Sequence, residues 1–438
     1  MTTLVVSGGT IVTMDPTRRV LTGDVVVEDG RITAVGQAGP ATAAQAIDAS
    51  GCLVIPGLVQ AHVHTVQTLA RGHADDLELL PWLRERIWPY EAALGPEDVE
   101  AAVELACAEL LAGGTTAILD MGTVRHTDVV FEAARRAGIR ATIGKCMMDA
   151  GDAVPQGLRE TTRASLDESE ALARRWHGAQ GGRLRYGFAP RFVLSCTEGL
   201  LREVTHTARR MGCVLHTHAS ENPTECQVVR RERGGDNIDY LAGLGMAGAD
   251  VVLAHCVWPS EAEKETLRRT QTSVVHCPSS NLKLASGIAP VVEYLARGIR
   301  VALGADGAPC NNELDGFLEL RLAGLLHKPA GGPTALPARQ AFELATLGGA
   351  RALGLADEIG SLEVGKRGDL VVVDVDRLHV VPTADPYSML VYAVRASDVR
   401  DVVVDGRVVV RGGELSTLDQ GAVIARARAA RQRIDGRL

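Results

Sequence analysis

Two hydrophobic rhythms divide the chain. Near both ends, short β-branched runs are broken by glycine and aspartate. Leu4-Val5-Val6, Thr10-Ile11-Val12, Val25-Val26-Val27 and Ile32–Val35 are punctuated by Gly8-Gly9, Asp29-Gly30 and Gly36. Leu370–Val373, Val399–Val403 and Val408–Val410, with Asp405-Gly406, repeat the texture at the far end. Such runs read as strands joined by hairpin turns. Their recurrence at both ends predicts one small composite β-sandwich domain built from residues 1–56 and 366–438.

Residues 57–365 follow a different rhythm, in which apolar runs of strand length alternate with helical periodicity. Pro96-Glu97-Asp98 opens a helix that Gly113-Gly114 closes, and Thr115–Leu119 follows as a strand. His126–Ala137, Thr161–His177 and Glu198–Met211 read as helices. Ile139–Cys146, Leu184–Phe188, Cys213–His218, Val251–His255, Ser273–His276 and Val301–Gly304 read as strands. Cys52–Ile55, continued through Leu58 and Val59, reads as one buried strand that runs into His62. Eight strands alternating with helices imply a parallel sheet. At this length a closed (β/α)8 TIM barrel is the best solution. An open doubly wound sheet is the alternative, but no Gly-x-Gly-x-x-Gly opens a helix after the first strand. Asp75–Leu94, with Trp82, Trp88 and Tyr90, is a long insertion that a barrel would hold over its active-site mouth.

Composition narrows the function classes. The 438 residues are 46% apolar and 23% charged, as expected for a globular protein with a large core. A net charge of −8 gives no electrostatic reason to expect nucleic acid or an anionic membrane as partner. With 3% aromatics, an extended base-stacking surface would be hard to build. Nine scattered cysteines, and no charged-then-apolar leader at Met1–Val12, point to the cytoplasm. No apolar run has the length of a transmembrane helix. The Arg-rich stretch Ala425–Arg437 reads as a solvated helix face.

Active sites of such barrels lie at the C-terminal ends of the strands. The first strand ends in His62 and His64, whose i, i+2 spacing puts both imidazoles on one face. The fifth ends in His216-Thr217-His218, followed by Glu221. The sixth ends in His255, the seventh in His276 and the eighth in Asp306. Three neutral histidines and one carboxylate suit Zn2+, with Fe2+ second. His62, His64, His218 and Asp306 are the expected ligands, although Asp306 also fits a role as water-orienting base alone. His216, deeper on the same face as His218, reads as a barrel-interior or supporting residue. His276 fits a satisfied buried polar group equally well. His73, His126, His177, His206, His327 and His379 lack this context and read as surface residues. A divalent ion makes water a nucleophile at neutral pH. Attack on a carbon bearing an amine then needs a proton shuttle, for which Glu221 is placed, and groups that orient and deprotonate the water, His255 and Asp306. Alone, Glu221 would read as a first-turn carboxylate of the helix beginning at Asn222-Pro223.

On these residues the chain resembles the amidohydrolase superfamily, in its branch of guanine, cytosine and S-adenosylhomocysteine/methylthioadenosine deaminases and s-triazine hydrolases. The motifs are Pro-Gly-Leu-Val-x-x-His-x-His (56–64), His-Ala-Ser-Glu-Asn (218–222), Ala-His-Cys (254–256), His-Cys-Pro-Ser-Ser-Asn (276–281) and Gly-Ala-Asp-Gly-Ala (304–308). Gly365-Lys366-Arg367-Gly368-Asp369-Leu370 looks like the family's return to its β-sandwich. The resemblance implies one metal on His62, His64, His218 and Asp306, with Glu221 and His255 catalytic, and a homo-oligomer. Strand four ends in Ala189-Pro190-Arg191, which lacks the bridging group of two-metal relatives. Gln67 and Arg191 look like a guanine-deaminase pair that grips a purine carbonyl, an amide donor beside a guanidinium. Trp82 and Glu91 instead match the segment with which nucleoside deaminases cover the base and hold ribose hydroxyls. Arg191 as a salt-bridged rim residue and Glu91 as a helix-start carboxylate are the plainer readings.

The expected activity is that of an aminohydrolase acting on a non-peptide C–N bond. An aminated purine-like heterocycle and water, either an adenosine-derived nucleoside or a guanine-type base, would give the keto form and ammonia. An s-triazine chlorohydrolase or aminohydrolase is the alternative, and a non-catalytic metal-binding scaffold a distant third.

Overall fold

Eight parallel strands run in chain order around a barrel: Leu58–Val63, Thr115–Met121, Arg140–Gly144, Leu184–Pro190, Val214–Ala219, Val251–His255, Ser273–His276 and Arg300–Leu303. The computed structural model describes residues 3–37, 44–382 and 384–438; of the N-terminal segment expected to supply strands, residues 1, 2 and 38–43 lie outside these. The circuit closes where the eighth strand meets the first. The Asp306 amide donates to the His62 carbonyl at 3.1 Å, and Val63 bridges Asp306. Gly304 stands at this seam, where a Cβ would lie 2.7 Å from the His62 carbonyl oxygen. Alternate residues of the strands, among them Val59, Ala61, Ala117, Leu119, Val252, Val275 and Ala302, fill the interior. The other faces pack against the surrounding helices.

The apolar run that reads as one strand is two. Cys52–Pro56 pairs antiparallel with Leu370–Asp374, and Leu58–Val63 enters the barrel. The changeover is Gly57, whose amide donates to Asp369 O, while the Leu58 amide donates to Gly114 O. A Cβ on Gly57 would sit 1.9 Å from Thr116 Oγ1. Both halves are fully buried, so hydrophobicity alone carries no sign of the change of partner.

The second sheet has nine strands, drawn from Thr3–Pro56 and Leu370–Leu415. Its two remote hairpin tips meet: a Cβ on Gly406 would lie 2.7 Å from Gly30 Cα. The sheet therefore folds over on itself and encloses Leu4, Val6, Val25, Val27, Ile32, Val54, Leu370, Val372 and Val403 between its faces, which is sandwich packing. Arg140 ties it to the barrel, donating to both Asp369 oxygens at 2.7 and 2.8 Å. The Arg-rich C-terminal helix, Gln420–Asp435, lies on the barrel helix Pro96–Ala112. Arg426 pairs there with Glu104, and Arg433 and Arg437 pair with Asp98.

The insertion after the first barrel strand forms a continuous helical run from Leu79 to Ala93, with one π-turn at Leu83–Ile87. Trp82, Leu83, Ile87 and Trp88 pack against Met121, Cys146, Met148, Phe192 and Leu284, beyond the C-terminal ends of the strands. No described helix is long and apolar enough to cross a membrane.

Candidate active site

Four strand ends deliver five of the expected residues to one place. His62 lies in the first strand and His64 just past it, His218 in the fifth, His255 at the end of the sixth, and Asp306 beyond the eighth. Two of the five hold left-handed backbone, His255 at φ 72° and Asp306 at φ 64°. For residues other than glycine such geometry costs on the order of 1–3 kcal/mol each and persists where the surroundings over-determine it.

The imidazoles are oriented from behind. His64 Nδ1 is 2.8 Å from Met121 O, and His218 Nδ1 is 2.7 Å from Arg191 O. A carbonyl only accepts, so both Nδ1 atoms carry the hydrogen and both Nε2 atoms present lone pairs. Burial keeps both rings neutral, pushing His64 down to about 3 and His218 well below its ordinary value. The two Nε2 atoms nevertheless face each other at 3.2 Å. Two lone pairs at that separation repel unless a cation lies between them. His62 Nε2 has no hydrogen-bond partner among the described residues and is 3.3 Å from Asp306 Oδ1; His64 Nε2 is 3.5 Å from the same oxygen. Two triads of converging donor atoms result, His62–His64–His218 and His62–His255–Asp306. They share His62 and so describe one locus. Three imidazole nitrogens and a carboxylate oxygen fit a divalent metal.

Glu221 stands on the other side of His255, with Oε2 3.5 Å from His255 Nε2, which is itself 3.7 Å from Asp306 Oδ2. Burial first, then the Asp306 and Glu225 carboxylates, push the Glu221 carboxyl well above the usual range. Its Oε1 has no partner among the described residues. Asp306 accepts from Ser280 Oγ at 2.6 Å and from the Gly307 amide at 2.7 Å.

These groups form the floor of a narrow cavity of about 20 Å³, whose walls include Gln67, Leu79, Trp82, Leu83, Arg191, Phe192 and Leu284. Glu91 stands behind the wall and joins two of its members. Gln67 Nε2 donates to Glu91 Oε1 at 2.8 Å, and Arg191 Nη1 donates to Glu91 Oε2 at 2.5 Å. Arg191 is thus salt-bridged but buried, not a rim residue. The amide donor expected to grip a carbonyl is spent on Glu91, so Gln67 keeps its Oε1 as an acceptor without a partner. Sequence spacing could not reveal this, because the three residues come from separate elements.

Several further residues support these groups. His216 Nε2 is 2.8 Å from His62 Nδ1, directly behind that imidazole, which matches its reading as a supporting residue. Asn281 Oδ1 is 2.9 Å from His255 Nδ1. Glu225 accepts from the Glu221 amide at 2.8 Å and from Asn237 at 2.7 Å, holding the loop that carries Glu221. The Glu at the third position of a helix capped by Asn222 was the available clue. His327 is buried rather than on the surface and lies beside His276, with ring centroids 5.7 Å apart. Neither nitrogen of His276 has a partner among the described residues.

Residues 53–409 match the family model described as amidohydrolase family. A 5'-deoxyadenosine deaminase of Methanosarcina acetivorans is 40% identical over 439 residues, spanning 100% of this chain and 99% of that protein. A 5-methylthioadenosine/S-adenosylhomocysteine deaminase of Desulforudis audaxviator is 42% identical over 420 residues, spanning 94% and 95%. Among solved structures, an adenosine deaminase from Xanthomonas campestris with bound zinc superposes with a TM-score of 0.94 at 35% identity, over 99% of this chain and 98% of that one.

Proposed function

The chain belongs to the amidohydrolase family, and from that premise we propose that it is a metal-dependent deaminase acting on the 6-amino group of adenine nucleosides. His62, His64, His218 and Asp306 would hold one divalent ion, zinc by preference and iron(II) second. When bound, such an ion activates water for attack on the amine-bearing ring carbon. The chain's own residues do the rest. His255 orients the water between the Asp306 and Glu221 carboxyls. Asp306 takes a proton at Oδ2. Glu221 gives its proton to the ring nitrogen from the unpartnered Oε1, takes the hydroxyl proton of the adduct and passes it to the leaving amine, and the proton held by Asp306 then reloads Glu221. A C–O bond forms, the C–N bond breaks, and the amino-heterocycle plus water become the keto-heterocycle plus ammonia. Chloride would leave without a proton, so a buried Glu221 placed as proton donor favours an amine over the s-triazine chlorohydrolase reading.

The observation that carries the choice of a nucleoside is the double bond of Glu91 to Gln67 and Arg191. It orients the Gln67 amide so that Oε1 is left without a partner, an acceptor suited to a hydroxyl donor. A ribose diol supplies such donors, and the carbonyl of a guanine-type base does not. Nine buried cysteines without a disulfide support a cytoplasmic setting. The test is ammonia release by zinc-loaded protein from 5'-deoxyadenosine, methylthioadenosine, adenosine, guanine and a chlorotriazine. Turnover of the adenosines is expected. Turnover of guanine or the triazine, with the adenosines inert, overturns the reading.

A further inference from the structure

We propose that the site selects adenine nucleosides whose 5' substituent is uncharged and discriminates against those carrying a zwitterionic amino-acid tail. This rests on the nucleoside reading above and narrows it.

The polar groups of the cavity are already assigned. On the nucleoside reading the imidazoles, Asp306 and Glu221 surround the reacting carbon, and Gln67 and Arg191, held from behind by Glu91, meet the ribose. The wall left for the 5' substituent is Leu79, Trp82, Leu83, Phe192 and Leu284. Among the described residues lining the cavity, Arg191 is the only Lys or Arg, and its charge is met by Glu91 at 2.5 Å. The remaining carboxylate of the wall, Glu225, has both oxygens bonded to the chain. Arg84 and Arg233 lie in a separate surface depression that shares Phe192 with the cavity. They stand there with Asp152 and Glu232, and Arg233 Nη2 already serves the Val193 and Cys196 carbonyls at 3.4 Å.

An α-carboxylate brought against this wall gives up hydration and gains no cation. A charge desolvated without a partner is strongly disfavoured. A methyl or a thioether gains instead, since apolar burial and sulfur–aromatic contact with Trp82 and Phe192 are both favourable.

The experiment separates charge from size. The zinc-loaded wild-type protein is assayed with 5'-deoxyadenosine, 5'-methylthioadenosine, 5'-propylthioadenosine, 5'-(2-carboxyethyl)thioadenosine and S-adenosylhomocysteine. The expected result is similar kcat/KM for the three neutral nucleosides, with both charged ones lower by on the order of tenfold or more. Equal kcat/KM for the propylthio and carboxyethylthio compounds overturns the inference and leaves the deaminase reading intact. Ammonia from none of the five overturns both.

Discussion

Replacing Glu91 with alanine should damage stability and substrate selection together, and the structure sets the size of each effect. Glu91 and Arg191 form a buried ion pair, with side chains 3% and 4% exposed. Removing the carboxylate strands the guanidinium in the interior, with Cys146 Sγ at 3.8 Å as its remaining side-chain partner. Breaking a buried pair from one side costs about 3–5 kcal/mol, most of it from the charge left behind. Adding Arg191→Met removes that charge and should recover most of the loss, a non-additivity that a double-mutant cycle in denaturant reads directly. The same substitution frees the Gln67 amide to turn, so that the acceptor proposed for the ribose is no longer held in place. A hydroxyl bonded to a neutral amide oxygen is worth about 0.5–1.5 kcal/mol, or about 2- to 12-fold in kcat/KM. The loss should fall mainly on KM. A 2',3'-dideoxy substrate, which lacks two hydroxyls, should slow the wild-type enzyme by at least that factor and the Glu91→Ala enzyme by less. A denaturation midpoint that does not move, or a Glu91→Ala enzyme that still discriminates ribose from dideoxyribose as the wild type does, would refute the reasoning.

Three other outcomes are expected. Glu221→Gln should lower kcat by about 10²–10⁴-fold, the usual weight of a general acid–base group, while zinc content measured by elemental analysis stays the same. His216→Phe removes the partner of His62 Nδ1 and should weaken metal binding by about 10- to 100-fold in a chelator competition, since the partners of ligating histidines carry that much. Gly57→Ala places a Cβ 1.9 Å from Thr116 Oγ1 and should lower the thermal midpoint, with a cost of at least about 1–3 kcal/mol for overpacking; a midpoint equal to wild type would mean that the strand changeover tolerates a side chain.

What could be read from the sequence follows from how local each signal is. The barrel shows as alternating short apolar runs and helical periods, and the metal locus shows because strand ends of a barrel converge by construction. His62, His64, His218, His255 and Asp306 needed no pairing information beyond that rule. The break of one apolar run into two strands at Gly57 was not legible, because both flanking runs are equally buried. The polarity of Gln67 was hidden for another reason. An amide can face a ligand with either end, and only Glu91, 24 residues away in the covering helix, decides which. His327 was misread as a surface residue because nothing local marks its packing against His276.

The central claim is that one metal on these four residues drives deamination of an adenine nucleoside. Its most direct test is ammonia release from 5'-deoxyadenosine as zinc is titrated into metal-free protein. The rate should start near zero, rise in proportion to added zinc and level off at one equivalent per chain. Ammonia release that is independent of zinc, a plateau at two equivalents, or no ammonia at any loading would contradict the account.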